Sequence, residues 1–334
     1  MTEASETMSL HPDIAALLEM VEAGTESGQR VPFPQLTPAQ ARADFDAFSP
    51  LLDLDPAPLP HERRLDLPVR DGGRIEARLY APSVPDRPLP VLLYMHGGGF
   101  VVGSLDSHQP LCRRLAVEGG CAVLSIAYRL APEHKFPTAF LDAVDALAWI
   151  GHSGVGEGLD PARVAVGGDS AGGTLAAALA IAARDDGSLP RPVLQVLAYP
   201  GVSPRQDSPS YARYGRGYLL DATTVQWFFN HYLRDEADRE DWRFAPSVAD
   251  LSGVAPAFVV LAECDPLVDE GRAYAGALRA AGVPADLRIY PGMVHEFLRM
   301  GNVVDDALQA QRDIGRALEQ AFREGRRIRL PSCE

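Results

Sequence analysis

Short apolar runs alternate with helix-like segments over most of the chain, and this alternation restricts the fold more than any other feature. Six runs rich in valine, leucine and isoleucine are typical of buried strands: PVLLYMH, CAVLSIAYR, RVAVGG, VLQVLAYP, AFVVLAECD and ADLRIYP. RIEARLYAP is an earlier strand, and patterns such as PTAFLDAVDALAWI predict helices between the strands. We therefore expect an α/β fold with a mostly parallel central sheet flanked by helices.

Two regions depart from this alternation. Residues 1–50 are polar and helical, and residues 201–250 contain no convincing strand. We expect these two regions to form a helical lid, or cap, over a core made of residues 51–200 and 251–334. Within the lid, Thr37 is expected to cap a helix that begins at Pro38.

The helix DATTVQWFFNHYLRD, which Asp221 is expected to cap, has more aromatic residues than one amphipathic stripe needs. Part of this helix is therefore expected to face something other than the sheet. An ordinary helix packed on the core remains the alternative.

Composition excludes several classes of function. The chain of 334 residues has a formal net charge of −14, which argues against binding to nucleic acid. The first ten residues, MTEASETMSL, have no apolar core of a signal peptide, and no stretch approaches the roughly 20 apolar residues of a membrane span. The four cysteines show no CxxC spacing, so neither a zinc site nor a disulfide scaffold is expected. We expect a cytoplasmic protein.

The segment VAVGGDSAGGTLAAALAIAARD places Ser170 between an apolar strand and an alanine-rich helix. Gly168 and Gly172 flank this serine in the G-x-S-x-G pattern that displays a nucleophile on a sharp strand-to-helix turn. Glycines there remove Cβ atoms that would collide with the neighbouring strand and helix. A glycine-rich turn with a helix-capping serine is the plainer interpretation.

A nucleophilic serine needs a histidine as base and an acid that orients the histidine. In proteins that display the serine on such a strand-to-helix turn, the acid comes after the serine in the chain and the histidine comes after the acid. The strand AFVVLAECD ends at Asp265, and His295 is the only histidine beyond it. The ends of parallel strands would bring Ser170, Asp265 and His295 together at one edge of the sheet. Glu263 and Asp269 remain rival candidates for the acid.

The segment YMHGGGFVVGS follows an earlier strand and offers backbone N–H groups without side chains in the way. Such amides, together with the Ala171 N–H beside the serine, would stabilise the oxyanion of an acyl-transfer reaction. The glycines also resemble a dinucleotide loop, with Arg129 at the end of the next strand to receive a 2′-phosphate. That alternative leaves Ser170, Asp265 and His295 unexplained.

Together, HGGGFVVGS, YRLAPEHKFPTAFLDA, VGGDSAGG, LAECDPLVDEG and PGMVHEF resemble the hormone-sensitive-lipase-like carboxylesterases of the α/β-hydrolase fold. The resemblance spans residues 96–297 in the expected order. It implies Ser170 as nucleophile, His295 as base and Asp265 as its orienting acid. It also implies that Gly98 and Gly99 are oxyanion donors with Ala171.

The resemblance further implies a structural role for His96 and a turn-forming role for Gly97. The chain differs from the family pattern at one position: many relatives have glycine after the histidine, where this chain has Glu296. Glu296 is expected to be solvated, although it could also raise the pKa of His295. The sequence assigns no role to Asp169.

The sequence therefore predicts a carboxylic-ester hydrolase that requires neither a metal nor an organic cofactor. Phe33, Trp227 and Phe228 are expected to narrow the substrate pocket and favour short to medium acyl groups. An amidase or lactonase on the same triad, and a non-catalytic small-molecule-binding homologue, stay open. The resemblance also allows a homodimer.

Overall fold

Eight strands form one sheet in the computed structural model, which describes residues 10–54 and 58–327. The order across the sheet is β1-β2-β4-β3-β5-β6-β7-β8. The strands are β1 (His61–Pro68), β2 (Arg74–Ala81), β3 (Leu89–Met95), β4 (Ala122–Ile126), β5 (Leu159–Asp169), β6 (Leu194–Ala198), β7 (Ala257–Ala262) and β8 (Ala285–Tyr290). Strand β2 is antiparallel to both its neighbours, and β4, β3, β5, β6, β7 and β8 pair in parallel. The predicted mostly parallel sheet is confirmed.

Nine α-helices accompany the sheet within the described residues. They are α1 (Pro12–Glu26), α2 (Pro38–Leu52), α3 (Gln109–Gly119), α4 (Thr138–Ser153), α5 (Ala171–Asp185), α6 (Pro209–Tyr214), α7 (Ala222–Tyr232), α8 (Val268–Ala280) and α9 (Asp305–Arg327). Helices α3 and α9 pack together, and α4 packs on α5. The strands β4, β3, β5 and β6 are almost wholly buried, as expected for parallel strands covered on both faces.

Strand β1 has no counterpart among the predicted strands. Its sequence, HERRLDLP, has five charged or histidine side chains, and only Leu67 is buried. It lies at the edge of the sheet and pairs with β2 alone. Charged side chains on an edge strand discourage pairing with other chains, which explains the lack of an apolar signal.

The helix caps agree in part with the prediction. Thr37 caps α2 in a capping box: its hydroxyl accepts from the Gln40 N–H at 3.3 Å, and the Gln40 side chain accepts from the Thr37 N–H at 3.0 Å. Asp221 stands at the N-cap position of α7, but the predicted side-chain cap is wrong. Its carboxylate accepts from the Gly217 N–H at 2.8 Å instead, which closes the preceding turn.

The two regions outside the strand–helix alternation meet through aromatic side chains. The ring centroid of Phe33 lies 6.0 Å from those of Trp227 and Phe228. In α7, Tyr232 stacks on Phe100, in the loop after β3, with centroids 4.0 Å apart. Arg42 in α2 donates to the Val101 carbonyl at 2.8 Å, so both regions contact the loop that follows β3.

No helix among the described residues is long and apolar enough to cross a membrane. The same residues contain no cluster of ligands that could hold a metal ion. Cys112, Cys121 and Cys264 are buried free thiols, and Cys333 lies outside the described part of the chain. Residues 1–9, which make up most of the segment on which the prediction of no signal peptide rests, also lie outside it.

Candidate active site

Ser170 lies between the end of β5 and the beginning of α5, at the turn that the sequence predicts. Its backbone has φ 53° and ψ −120°, a conformation that costs a non-glycine residue about 1–3 kcal/mol. The Ser170 N–H donates to the Ala198 carbonyl at 2.8 Å, which ties the turn to β6. The strained backbone holds the Ser170 side chain at the carboxyl edge of the sheet.

The glycines on either side of Ser170 are required by β3. A Cβ atom at Gly172 would lie 1.9 Å from the Met95 carbonyl oxygen, and one at Gly168 would lie 2.3 Å from the same atom. No real Cβ approaches a backbone oxygen so closely. The turn can therefore close against β3 only if both positions lack a side chain.

The ends of β5, β7 and β8 bring three predicted side chains together. His295 Nε2 lies 2.9 Å from Ser170 Oγ, and His295 Nδ1 lies 2.7 Å from Asp265 Oδ2. The other oxygen of Asp265 accepts from the Leu267 N–H at 2.8 Å. Asp265 and His295 are buried, so the histidine is held in one orientation by a carboxylate that is itself held by the backbone.

The rival acids have other partners. Glu263 accepts a hydrogen bond from the Gly292 N–H at 2.9 Å. Asp269 accepts one from the Ser210 N–H at 2.8 Å. The geometry therefore favours Asp265 over both.

The surroundings of His295 act on its pKa in opposite directions. Burial lowers the pKa, but the charge of Asp265, the hydrogen bond to it and the charge of Glu296 together raise the pKa above its ordinary value. Glu296 is partly exposed, and its carboxylate lies 3.7 Å from Arg299 Nη2. Its backbone has φ 68°, in the left-handed region, which explains why a glycine suits this position.

Residues 97–99, which we call the oxyanion loop after the role that the resemblance implies, follow β3. Gly98 and Gly99 have φ 114° and 57°, conformations that favour glycine. No acceptor among residues 10–54 and 58–327 takes a hydrogen bond from the N–H of Gly98, Gly99 or Ala171. These three amides therefore have no partner within the described part of the chain, and Gly99 and Ala171 also line the cavity beside Ser170, whereas Gly98 does not.

Asp169, to which the sequence assigned no role, holds the oxyanion loop. Its Oδ1 accepts from the Gly97 N–H at 3.0 Å and from the Tyr94 hydroxyl at 2.6 Å, and its Oδ2 lies 3.2 Å from His108 Nε2. Burial acts to raise the pKa of this carboxyl, but His108, Arg299 and the Tyr94 hydrogen bond outweigh it and lower the pKa. Asp169 is therefore a buried anion that ties the loop to β5.

The glycine at position 97 is explained by the same carboxylate. A Cβ atom there would lie 2.4 Å from Asp169 Oδ2, and its φ is not in the left-handed region. The strand pairing makes this contact: β3 and β5 pair in parallel with Met95 opposite Gly168, so the residues that follow each strand lie side by side.

His96 packs beneath the loop. Its Nδ1 lies 2.7 Å from the Gly97 carbonyl oxygen, and its ring stacks on Tyr128 at 4.3 Å between centroids. Burial lowers the pKa of His96 to about 3, so the ring is neutral and Nδ1–H can donate to that carbonyl. These contacts fit the structural role that the resemblance implies.

A cavity of about 50 Å³ opens beside Ser170. Gly99 and Ala171 line it, and so do the aromatic rings of Phe100, Phe228, Phe229 and Phe244. Phe33 and Trp227, which were expected in the pocket, contact Phe228 but do not line this cavity. Sequence reasoning missed Thr174, Ser203, Gln206 and Glu270 on its wall, because only the fold brings these segments together.

The dinucleotide alternative is not supported by the contacts of Arg129. Its guanidinium donates to both oxygens of Asp142, with Nη2 and Oδ1 2.7 Å apart, and it also binds Asp71. A cation that is held by two carboxylates is not available for a ribose phosphate.

A serine, a histidine and an aspartate at the carboxyl ends of three strands are the arrangement that is typical of the α/β-hydrolase class. The family model described as the alpha/beta hydrolase fold matches residues 92–299. The chain belongs to the hormone-sensitive-lipase-like carboxylesterases of this fold, and it is a carboxylic-ester hydrolase.

Similar proteins carry names of the same kind. An ethyl acetate hydrolase of Pseudomonas putida is 44% identical over 94% of this chain and 99% of its own. A carboxylesterase of Mycobacterium tuberculosis, NlhH, is 42% identical over 71% of this chain and 75% of its own. The structure of an ester hydrolase from the Lake Arreo metagenome matches with a TM-score of 0.90 and 37% identity over 94% of this chain and 99% of its own. A hyperthermophilic esterase of Pyrobaculum calidifontis matches with a TM-score of 0.86 and 38% identity over 94% of this chain and 99% of its own.

Proposed function

We propose that this esterase works through a covalent acyl-enzyme on Ser170. The observation that carries the proposal is the continuous chain of hydrogen-bond distances from Ser170 Oγ through His295 to Asp265. Ser170 Oγ attacks the ester carbonyl carbon while His295 Nε2 takes the hydroxyl proton. Asp265 holds the Nδ1–H tautomer and stabilises the imidazolium that forms.

The tetrahedral oxyanion is expected to bond to the N–H groups of Gly98, Gly99 and Ala171. One such donor contributes about 100- to 1,000-fold to the rate. Collapse of the intermediate breaks the ester C–O bond, and the leaving alkoxide takes the proton from His295. Water then attacks the acyl-enzyme with His295 as base, which releases the acid and restores Ser170.

We propose esters with short to medium acyl groups as substrates. The cavity of about 50 Å³ beside Ser170 is small, and aromatic side chains line it. The similar protein named ethyl acetate hydrolase is consistent with a small acyl group. In this proposal residues 1–50 and 201–250 act as the cap that narrows the pocket, although residues 1–9 lie outside the described chain.

The test is a series of p-nitrophenyl esters with acyl chains of two to twelve carbons. The proposal predicts the highest kcat/KM on chains of up to about six carbons and a steep fall beyond them, because longer chains meet the ring of Phe228 or Phe229. The Ser170→Ala variant is expected to lose nearly all activity on every ester. Best hydrolysis of the longest ester would contradict the short-chain proposal, and equal activity of Ser170→Ala would contradict the nucleophile.

No observation favours the alternatives over ester hydrolysis. Amide or lactone cleavage uses the same groups, and matched ester and anilide substrates separate these activities. The cytoplasmic location, a homodimer and the absence of nucleic-acid binding stay predictions.

A further inference from the structure

Glu270 is a buried carboxyl group on the wall of the cavity that contains Ser170. It lies in the first turn of α8, five residues after Asp265, and its exposed fraction is 9%. A carboxyl group is costly to bury unless its oxygens are bonded. Its contacts therefore decide whether it is a structural group or a binding group.

One oxygen of Glu270 is fully used by the backbone. Oε1 accepts from the Val202 N–H at 2.6 Å and from the Ser203 N–H at 3.2 Å, in the loop after β6. Within residues 10–54 and 58–327, no donor bonds to the other oxygen, Oε2. The carboxyl group is thus anchored through one oxygen and unpartnered at the other.

The other polar side chains on the cavity wall, apart from Ser170, are engaged inside the protein. The Thr174 hydroxyl donates to the Gly201 carbonyl at 2.6 Å, and the Ser203 hydroxyl donates to the Arg205 carbonyl at 2.9 Å. The Gln206 side chain accepts from Arg239 at 2.9 Å and donates to the Ser203 carbonyl at 3.3 Å. Among the described residues, Glu270 Oε2 is therefore the carboxyl oxygen of the wall that no donor bonds, whereas each of the other three side chains already makes a hydrogen bond inside the protein.

The protonation of Glu270 fits this role. Burial raises the pKa of Glu270 to about 8, against the two backbone hydrogen bonds that lower it, and the charge of Asp265 adds to the rise. Near pH 7 the group is mostly a neutral acid, which can both donate and accept a hydrogen bond. At higher pH it becomes an anion on the cavity wall.

We propose that Glu270 determines substrate specificity by bonding a small polar group of the ester through its free carboxyl oxygen. The preferred substrates are then small neutral esters that carry a hydroxyl group near the scissile bond, and esters that carry a carboxylate are rejected at pH 9, where Glu270 is an anion. This inference rests on the proposed function of the Ser170 site. If Glu270 only anchors the loop at Val202 and Ser203, substrate preference will not depend on it.

Two pairs of isosteric neutral esters test hydroxyl recognition on the alcohol and acyl sides. They are 2-hydroxyethyl acetate against propyl acetate, and ethyl 3-hydroxybutanoate against ethyl 3-methylbutanoate. In the wild type at pH 7, kcat/KM for the hydroxyl member of at least one pair should exceed that of its partner. Glu270→Met should reduce this ratio about 3- to 10-fold, the contribution of one hydrogen bond.

A second variant covers the case in which Glu270→Met does not fold. Glu270→Gln keeps an oxygen for the Val202 and Ser203 amides but cannot ionise. At pH 9 it should raise kcat/KM for monoethyl succinate relative to its neutral isostere, ethyl 4-oxopentanoate, by about 10-fold, because the repulsion between two anions is removed. The wild type and the variant share the titration of His295 and the charge of Asp265. A difference between their substrate ratios therefore reports the charge of Glu270.

Glu263→Gln is the matched control, since Glu263 also accepts a backbone N–H at the same sheet edge but does not line the cavity. It should leave both substrate ratios at wild-type values. Unchanged ratios in the Glu270 variants, with plain esters still hydrolysed, would overturn this inference alone. Loss of all ester hydrolysis in the wild type, or full activity in Ser170→Ala, would overturn the proposed function instead.

Discussion

The two glycine-rich turns of the site are built for different reasons. Around Ser170, the glycines at 168 and 172 leave room for the β3 backbone, whose Met95 carbonyl oxygen would meet any Cβ there. In the oxyanion loop, a Cβ at Gly99 would lie 2.2 Å from the Phe228 ring, which belongs to α7. One turn is shaped by the sheet and the other by helix α7, which belongs to the proposed cap.

This difference separates two parts of the proposed chemistry. The position of the nucleophile depends on backbone packing inside the core, which no single side chain can relieve. The position of the oxyanion donors depends on one aromatic side chain of the cap and on Asp169, which bonds the Gly97 amide. Substitutions in the cap are therefore expected to alter oxyanion stabilisation while leaving the nucleophile in place.

The largest effect is expected from Gly172→Ala. Its Cβ would lie 1.9 Å from the Met95 carbonyl oxygen, so β3 and α5 would have to separate. We expect a loss of at least about 3 kcal/mol in the free energy of unfolding, measured by urea denaturation, together with loss of esterase activity.

The control for this substitution is Gly276→Ala. Gly276 lies in α8, where the methyl group of an alanine would meet open space, so alanine should stabilise the protein by up to about 1 kcal/mol. If Gly172→Ala unfolds at the same urea concentration as the wild type, the core does not dictate the turn.

Asp169→Asn tests the link between the two turns. The substitution removes a buried negative charge from His108 and disturbs the bond to the Gly97 amide. We expect the free energy of unfolding to fall by about 3 kcal/mol. In the remaining folded enzyme, kcat should fall more than KM changes, because the oxyanion forms only in the transition state. A change in KM alone would argue against a positioning role for Asp169.

Gly99→Ala tests the contribution of the cap. The new methyl group collides with Phe228 and displaces the loop, so kcat should fall by about 100-fold, the value of one oxyanion donor. Adding Phe228→Ala to the same chain removes the collision and should recover part of the loss. Adding Phe228→Ala to Gly172→Ala should recover nothing. Equal recovery in both backgrounds would contradict the distinction between the turns.

The smallest effect is expected from Glu296→Gln. The Glu296 charge contributes to the raised pKa of His295, and His295 must be neutral to accept the Ser170 proton. Removing that charge lowers the pKa, so the acidic limb of kcat/KM against pH should move to lower pH. Glu263→Gln, whose charge is not among the causes of the His295 shift, should leave the limb in place. A shift to higher pH in Glu296→Gln would contradict the account.

The features that the sequence predicts are those that local patterns determine. Strand runs, the G-x-S-x-G turn and the order of acid and histidine follow from local patterns, and these place Ser170, Asp265 and His295 at one sheet edge. Strand β1 has no such pattern because its charged side chains face solvent at the edge of the sheet.

Contacts between segments that are distant in the chain could not be predicted from the sequence. Asp169 has no visible partner in the sequence until the pairing of β3 and β5 brings Gly97 beside it, and Glu270 is an ordinary helix-start residue until the loop after β6 folds over it. The choice of Asp265 over Glu263 and Asp269 likewise needs distances, since all three follow the same strand.

The central claim is that Ser170 carries the acyl group during catalysis. The most direct test is to measure the mass of the protein during turnover of an ester whose acyl group is released slowly. After rapid acid quench with p-nitrophenyl acetate, the wild type should gain one acetyl group, about 42 Da, on the peptide that contains Ser170. His295→Ala should gain it far more slowly, and Ser170→Ala should not gain it at that peptide. An acetyl group on another residue, or turnover with no acylated Ser170 at any time, would contradict the account.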